Sequence, residues 1–170
     1  MVKAEKATQQ NPKQLKIMKL YELTCARLNA SHREDALFRV LDVPNDEVKL
    51  AVVHCLYYVP IEEIDAQEID QMLKLMSPQN IGAGKTELVL SVIFNILSNL
   101  ISDTSKKALE TTTLFKTKFS FTAISHAINI MTKNQERAVD DIEEEKEKYT
   151  LALSILNFLK HVSKENKTKD

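Results

Sequence analysis

The stretch Leu88 to Ser102, LVLSVIFNILSNLIS, contains no charged residue and reads as a helix that is apolar around most of its circumference. A helix of that kind is expected to be deeply buried, between two layers of structure. Its polar residues Ser91, Asn95, Ser98, Asn99 and Ser102 recur near i, i+4, i+7, i+8 and i+11. On a 3.6-residue period they fall in one narrow stripe of small uncharged groups. The expectation is an inner helix with a single polar seam, and that seam is the leading candidate for a site. The run of 15 residues is shorter than the roughly 20 needed to span a bilayer, so membrane insertion is not expected.

Composition supports helices around it. The chain has 170 residues, 44% hydrophobic and 28% charged, which is ordinary for one soluble domain. With only 2 glycines and 4 prolines it lacks the turn residues that an α/β or all-β fold of this size normally needs. The net charge of -1 hides a gradient. Residues 1–30 carry six basic and two acidic side chains, residues 31–103 five and twelve, and the remainder twelve and ten. No broad basic surface is implied, which disfavours nucleic acid as a partner. Cys25 and Cys55 sit in apolar helical contexts without CxxC spacing, which suits buried thiols in a reducing compartment. The start MVKAEKATQQNPKQ has no apolar signal core. The expected setting is cytoplasmic and soluble.

Along the chain, residues 1–12 read as a disordered basic tail, 13–162 as the helical domain and 163–170 as a fraying lysine-rich tail. A first helix is expected from Lys13 to Leu28, with a break over Asn29 to Ser31. A second carries Ala36, Leu37, Val40 and Leu41 and stops ahead of Pro44, because the residue before proline disfavours the α region. Asp46 is the expected N-cap of a third helix running to Pro60. Ile61, Ile64, Ile69, Met72, Leu73 and Met76 mark a fourth, whose acids Glu62, Glu63, Asp65, Glu68 and Asp70 read as a solvated face. No EF-hand spacing accompanies them. The only glycine-bearing loop, Ser77 to Gly84, precedes the central helix, which is expected to be capped at Thr86. From Lys106 to Phe121, alternation of Phe115, Thr117, Phe119 and Phe121 admits a short strand, but Phe115, Phe119 and Thr122 also fit helical spacing, and a lone strand has no partner. A helix over Phe121 to Met131, a polar stretch Thr132 to Asp141, and a long last helix opened by Glu143 to Lys148 complete the reading. Glu144 and Lys148 have the spacing of a stabilising i, i+4 pair.

The three most apolar helices superpose without gaps. Setting Tyr58, Asn99 and His161 equivalent aligns Val48 with Val89 and Leu151, Val52 with Ile93 and Ile155, and Val53 with Phe94 and Leu156. The match continues through Cys55, Ile96 and Phe158, then Leu56, Leu97 and Leu159, then Val59, Leu100 and Val162. The polar positions His54, Asn95 and Asn157 coincide as well, one turn earlier than Tyr58, Asn99 and His161.

With this register the chain resembles the armadillo/HEAT superfamily of helical repeats. Leu37 to Val59, LFRVLDVPNDEVKLAVVHCLYYV, is similar to the helix, proline-containing turn and D-x-E-V-x-x-x-A-type entry to an inner helix used by those repeats. The spacing of 41 residues from Tyr58 to Asn99 lies in the family's range. The 62 from Asn99 to His161 departs from it and calls for an insertion near Lys133 to Lys148 or an irregular repeat. Leu97-Ser98-Asn99-Leu100 is similar to the close of an armadillo third helix, whose asparagine in peptide-binding members bonds an extended peptide backbone. A carboxamide offers donor and acceptor together and has no charge to desolvate. Those members carry tryptophan four residues before the asparagine; here that position is Asn95, and the chain has no tryptophan. Stacking slots for a peptide's side chains are therefore absent. The competing reading of Asn95 and Asn99 is structural, as partners of neighbouring backbone or helix-end groups.

Gly82-Ala83-Gly84-Lys85-Thr86 reads like the end of a phosphate-binding P-loop. The first glycine of that motif would fall at residue 79, which is Gln79, and the preceding Ile69 to Met76 segment has helical spacing where a buried strand is required. The plainer reading is a loop between helices. His32, His54, His126 and His161 show neither HExxH nor other metal spacing, and no catalytic set, cofactor or metal is expected.

The expected fold is thus an all-α, armadillo/HEAT-like α-solenoid of about three to four repeats. The expected function is a non-catalytic scaffold binding a partner protein or extended peptide along the ladder His54, Tyr58, Asn95, Asn99, Asn157 and His161, the acidic 31–103 half favouring a basic segment. One alternative is a structural subunit of a larger assembly or a piece of a longer solenoid with the ladder buried; another is nucleotide binding through GAGKT.

Overall fold

The computed structural model describes residues 30–77, 86–103 and 105–166. Lys13–Leu28, the two tails 1–12 and 167–170, and loop residues 78–85 lie outside them. Among the described residues every regular element is helical.

Helix α1 is Ala30–Leu41. It starts inside the break expected over Asn29 to Ser31, and the reason is tertiary. Arg33, in its first turn, is 4% exposed. Its Nε donates to Glu68 Oε1 at 2.6 Å, and its Nη2 donates to the Glu63 carbonyl at 2.9 Å. Burial opposes the guanidinium charge, but the hydrogen bond to Glu68 and the charges of Glu68, Glu63 and Asp65 outweigh it and raise the pKa above the ordinary arginine value.

Helix α2 is Asp46–Tyr57. Its N-cap is Asn45 and not Asp46: the Asn45 side chain accepts from the amides of Glu47 at 2.9 Å and Val48 at 3.2 Å. Asp46, already helical, instead accepts from the Thr86 hydroxyl and lies 3.6 Å from Lys49 Nζ. The fourth expected helix divides into a 3-10 turn, Ile61–Glu63, and α3, Ala66–Leu75. Asp65 caps α3 in a reciprocal capping box with Glu68. The acidic residues are consequently not one solvated face, since Glu68 is completely buried between Arg33 and the Asp65 amide.

Helix α4, Thr86–Ser102, is the central element. Thr86 is its first residue, and its hydroxyl is directed to Asp46 across the fold. Beyond it, α5 (Leu109–Leu114), a π-helical turn (Phe115–Phe119) and α6 (Ser120–Glu136) follow one another directly. Phe115 and Phe119 are buried, whereas Phe121 is 82% exposed, so the period is helical and the aromatic alternation marks no strand. Helix α6 continues past Met131 into the polar stretch, where Asn134 is buried and its Nδ2 donates to the Lys148 carbonyl at 3.1 Å.

The last helix, α7, is Ile142–Asn166 and runs on past Ser163, where fraying was expected. The anticipated Glu144–Lys148 pair gives way to Arg137. The Arg137 Nη2 donates to Glu144 at 3.2 Å, and the Arg137 carbonyl accepts from Lys148 Nζ at 2.7 Å. Arg137 also pairs with Glu87 at the start of α4.

These elements surround α4 as its composition requires. Helix α4 packs against both α2 and α7, α1 packs on α2 and α3, and α6 packs on α7. Ile93, Phe94, Leu97 and Leu100 are fully buried in the core, each such side chain contributing roughly 1.5–3 kcal/mol by removal from water. Phe94 meets Phe158 of α7 with ring centroids 5.5 Å apart. No helix among the described residues is long and apolar enough to cross a membrane.

Candidate functional site

The polar stripe of α4 divides into two parts. Ser91 and Ser98 are buried, and their hydroxyls donate back to the carbonyls of Glu87 at 2.7 Å and Phe94 at 2.8 Å. They are satisfied within the helix and available to nothing else. Asn95 is half-buried and Asn99 exposed; Ser102, at the open end, donates to the Asn99 carbonyl at 3.3 Å. The accessible part of the stripe is the asparagine edge.

The six ladder residues lie on three helices that share α4 as their common neighbour. His54 is on α2 and Tyr58 caps its C-terminus; Asn95 and Asn99 are on α4; Asn157 and His161 are on α7. Asn157 is exposed, and His54, Tyr58 and His161 are half-buried. The side-chain amides of Asn95, Asn99 and Asn157 make no hydrogen bond within the described residues. Burial lowers the pKa of His54 and keeps its imidazole neutral at pH 7. Tyr58 stands edge-on to Tyr57, centroids 5.4 Å apart. The ladder thus combines three carboxamides and two imidazoles with one phenol ring.

Two carboxylates that the sequence reading left aside share a helix side with ladder residues. Glu47, exposed, is seven residues ahead of His54 on the same side of α2. Asp103 follows Asn99 by four residues; the Ser105 amide donates to its Oδ1 at 2.7 Å and depresses its pKa, holding it ionised. The i, i+4, i+7 spacing from the ladder residues was the signal for both.

Two open pockets lie elsewhere among the described residues. A cavity of about 380 Å³ separates α6 from α7 and is lined by residues including Met131, Gln135, Glu145 and Tyr149. A smaller one of about 160 Å³ lies beside Thr86, Glu87, Lys133 and Arg137. The latter adjoins the end of the GAGKT stretch, whose Gly82 to Lys85 fall outside the described residues. There the hydroxyl of Thr86 is turned to Asp46, and the segment before the loop is the helix α3 where a P-loop needs a strand. Among the described residues no group of three or more His, Cys, Asp or Glu is placed to hold a metal ion. His126 is half-buried and its pKa lowered by desolvation. Cys55 is half-buried on α2, and Cys25 falls outside the described residues.

No family profile, curated protein sequence or solved structure matches this chain.

Proposed function

We propose that the chain is a non-catalytic protein-interaction scaffold built as an armadillo/HEAT-like α-solenoid, and that it binds an extended segment of a partner protein along His54, Tyr58, Asn95, Asn99, Asn157 and His161. The observation that carries this reading is that three asparagines on two helices sharing one register, Asn99 and Asn157 exposed and Asn95 half-buried, keep their amide donors and acceptors unused among the described residues. An extended peptide has one N–H and one C=O per residue to satisfy, and carboxamides pair with both without desolvating a charge. The position of α4 between α2 and α7 supports the solenoid part, because stacked inner helices are what the three-fold register requires. Glu47 and Asp103, which share helix sides with ladder residues, favour a partner segment carrying lysine or arginine.

Affinity capture with the wild-type chain and with an Asn95→Ala/Asn99→Ala variant of equal helicity and melting temperature tests the proposal. A protein retained by the wild type and lost by the variant supports the ladder. Equal retention by both places the interface elsewhere.

A second reading, a structural subunit of a larger assembly, is favoured by the apolar residues that α2 and α7 leave uncovered among the described residues, including Val48 on α2 and Leu153 and Leu156 on α7, at 42%, 68% and 53% exposure. Under it, the asparagine substitutions lower stability or assembly and leave no selective binding defect.

A further inference from the structure

The three-helix register, combined with burial, shows which side of each helix its neighbours use. On α4, Glu87, Ser91, Phe94 and Ser98 lie on one side and are 8%, 3%, 0% and 2% exposed. The Phe94–Phe158 contact shows that this side meets α7. On α2 the residue equivalent to Phe94 is Val53, also fully buried. Helix α7 meets α4 through a different side, carrying Leu151, Ile155 and Phe158, which are at most 2% exposed. The α7 equivalents of Glu87, Ser91, Phe94 and Ser98 are Tyr149, Leu153, Leu156 and Lys160. The first three are 63%, 68% and 53% exposed, and Lys160 is exposed as well. The side that α4 buries against α7 is, on α7 itself, an apolar stripe that the described residues leave largely exposed, with only Tyr149 also lining the cavity beside α6.

The charges along α7 identify what fits it. Acidic residues gather at its start, with Asp140, Asp141, Glu143, Glu144 and Glu145, and Lys160 and Lys164 stand at its far end. Two such helices laid antiparallel match each acidic end with a basic one. Placing Tyr149 opposite Leu156 of a second chain also sets Leu153 near the symmetry axis, Glu145 opposite Lys160 and Asp141 opposite Lys164, each pair occurring twice. Lys146, on the same side of the helix, lies 3.8 Å from Glu143 of its own chain. A parallel pairing would set acid against acid. We infer that this stripe is the interface of a closed, two-fold symmetric homodimer in which α7 of one copy lies antiparallel on α7 of the other. At 25 residues α7 is about 37 Å long, enough for a continuous seam. The inference stands apart from ladder binding and survives its failure.

Sedimentation velocity on the full chain over a concentration series reads the result. The expected outcome is a reversible monomer–dimer equilibrium that Leu153→Glu/Leu156→Glu abolishes without loss of helicity, both residues being exposed. Lys160→Glu, which sets Glu145 against a new carboxylate, weakens dimerisation by about tenfold, and Glu145→Lys/Lys160→Glu restores it. A monomer at every concentration overturns the inference. So does a dimer indifferent to the leucine changes, a charge swap that fails to restore association, or a series of growing oligomers, which means open head-to-tail stacking.

Discussion

Replacing Glu68 by leucine probes a buried ion pair that ties α1 to α3. Glu68 is wholly enclosed and accepts from Arg33 Nε at 2.6 Å, from Arg33 Nη2 at 3.4 Å and from the Asp65 amide at 3.0 Å. The substitution removes both carboxylate oxygens and with them all three hydrogen bonds, and leaves the guanidinium buried with the Glu63 carbonyl as a remaining acceptor. Stranding one member of a buried pair costs about 3–5 kcal/mol, a large share of a total stability of roughly 5–15 kcal/mol. For a chain of this size that lowers Tm by about 6–20 °C. Removing both charges with Arg33→Met/Glu68→Leu is expected to restore most of the loss, since apolar replacement of a whole buried pair is often close to neutral. Urea and thermal melts followed by circular dichroism measure all three variants. A Glu68→Leu loss under about 1 kcal/mol, or a double variant no more stable than the single one, refutes the reasoning and means that water reaches the pair.

Phe94→Ala, at the junction of α4 and α7, is expected to cost about 3–5 kcal/mol in a denaturant melt because it empties a fully enclosed site. Asn45→Ala removes the α2 cap and is expected to cost about 1 kcal/mol in the same assay, while Asp46→Asn leaves that cap in place. His54 and His126 both have pKa values depressed by burial, so the folded state binds protons less readily than the unfolded one. Their contribution is fully present above the unfolded histidine value near 6.5 and is lost as pH falls through the lower folded values. The urea midpoint should therefore decline as pH falls below about 6.5, and His54→Gln/His126→Gln should flatten that decline.

The legible parts of the fold were those that local pattern decides. A charge-free run such as Leu88 to Ser102 has few alternatives to the interior, and α4 is found there. The equivalence of Val53, Phe94 and Leu156 was visible in the sequence, whereas their unequal burial depends on which helix has a neighbour on that side. Glu68 read as one more acid on a solvated face because Arg33 is 35 residues away. Asn45 and Asp46 are both good caps, and what separates them is the hydroxyl of Thr86, 40 residues from Asp46. In the seam, periodicity placed five polar residues together but did not say that Ser91 and Ser98 would turn their hydroxyls back to their own helix. The aromatic alternation after Lys106 misled for the opposite reason: Phe115 and Phe119 are a helical pair, and Phe121 is exposed beside them.

Site-specific photocrosslinking tests the binding ladder most directly. A benzophenone side chain is introduced at Asn99 on α4 or at Asn157 on α7, both exposed, and in a control at Thr113, exposed on α5. The account predicts that one and the same protein, different from the chain itself, is captured from the two ladder positions and not from Thr113. Capture of that protein from Thr113 as strongly as from Asn99, or of unrelated proteins from Asn99 and Asn157, would contradict it.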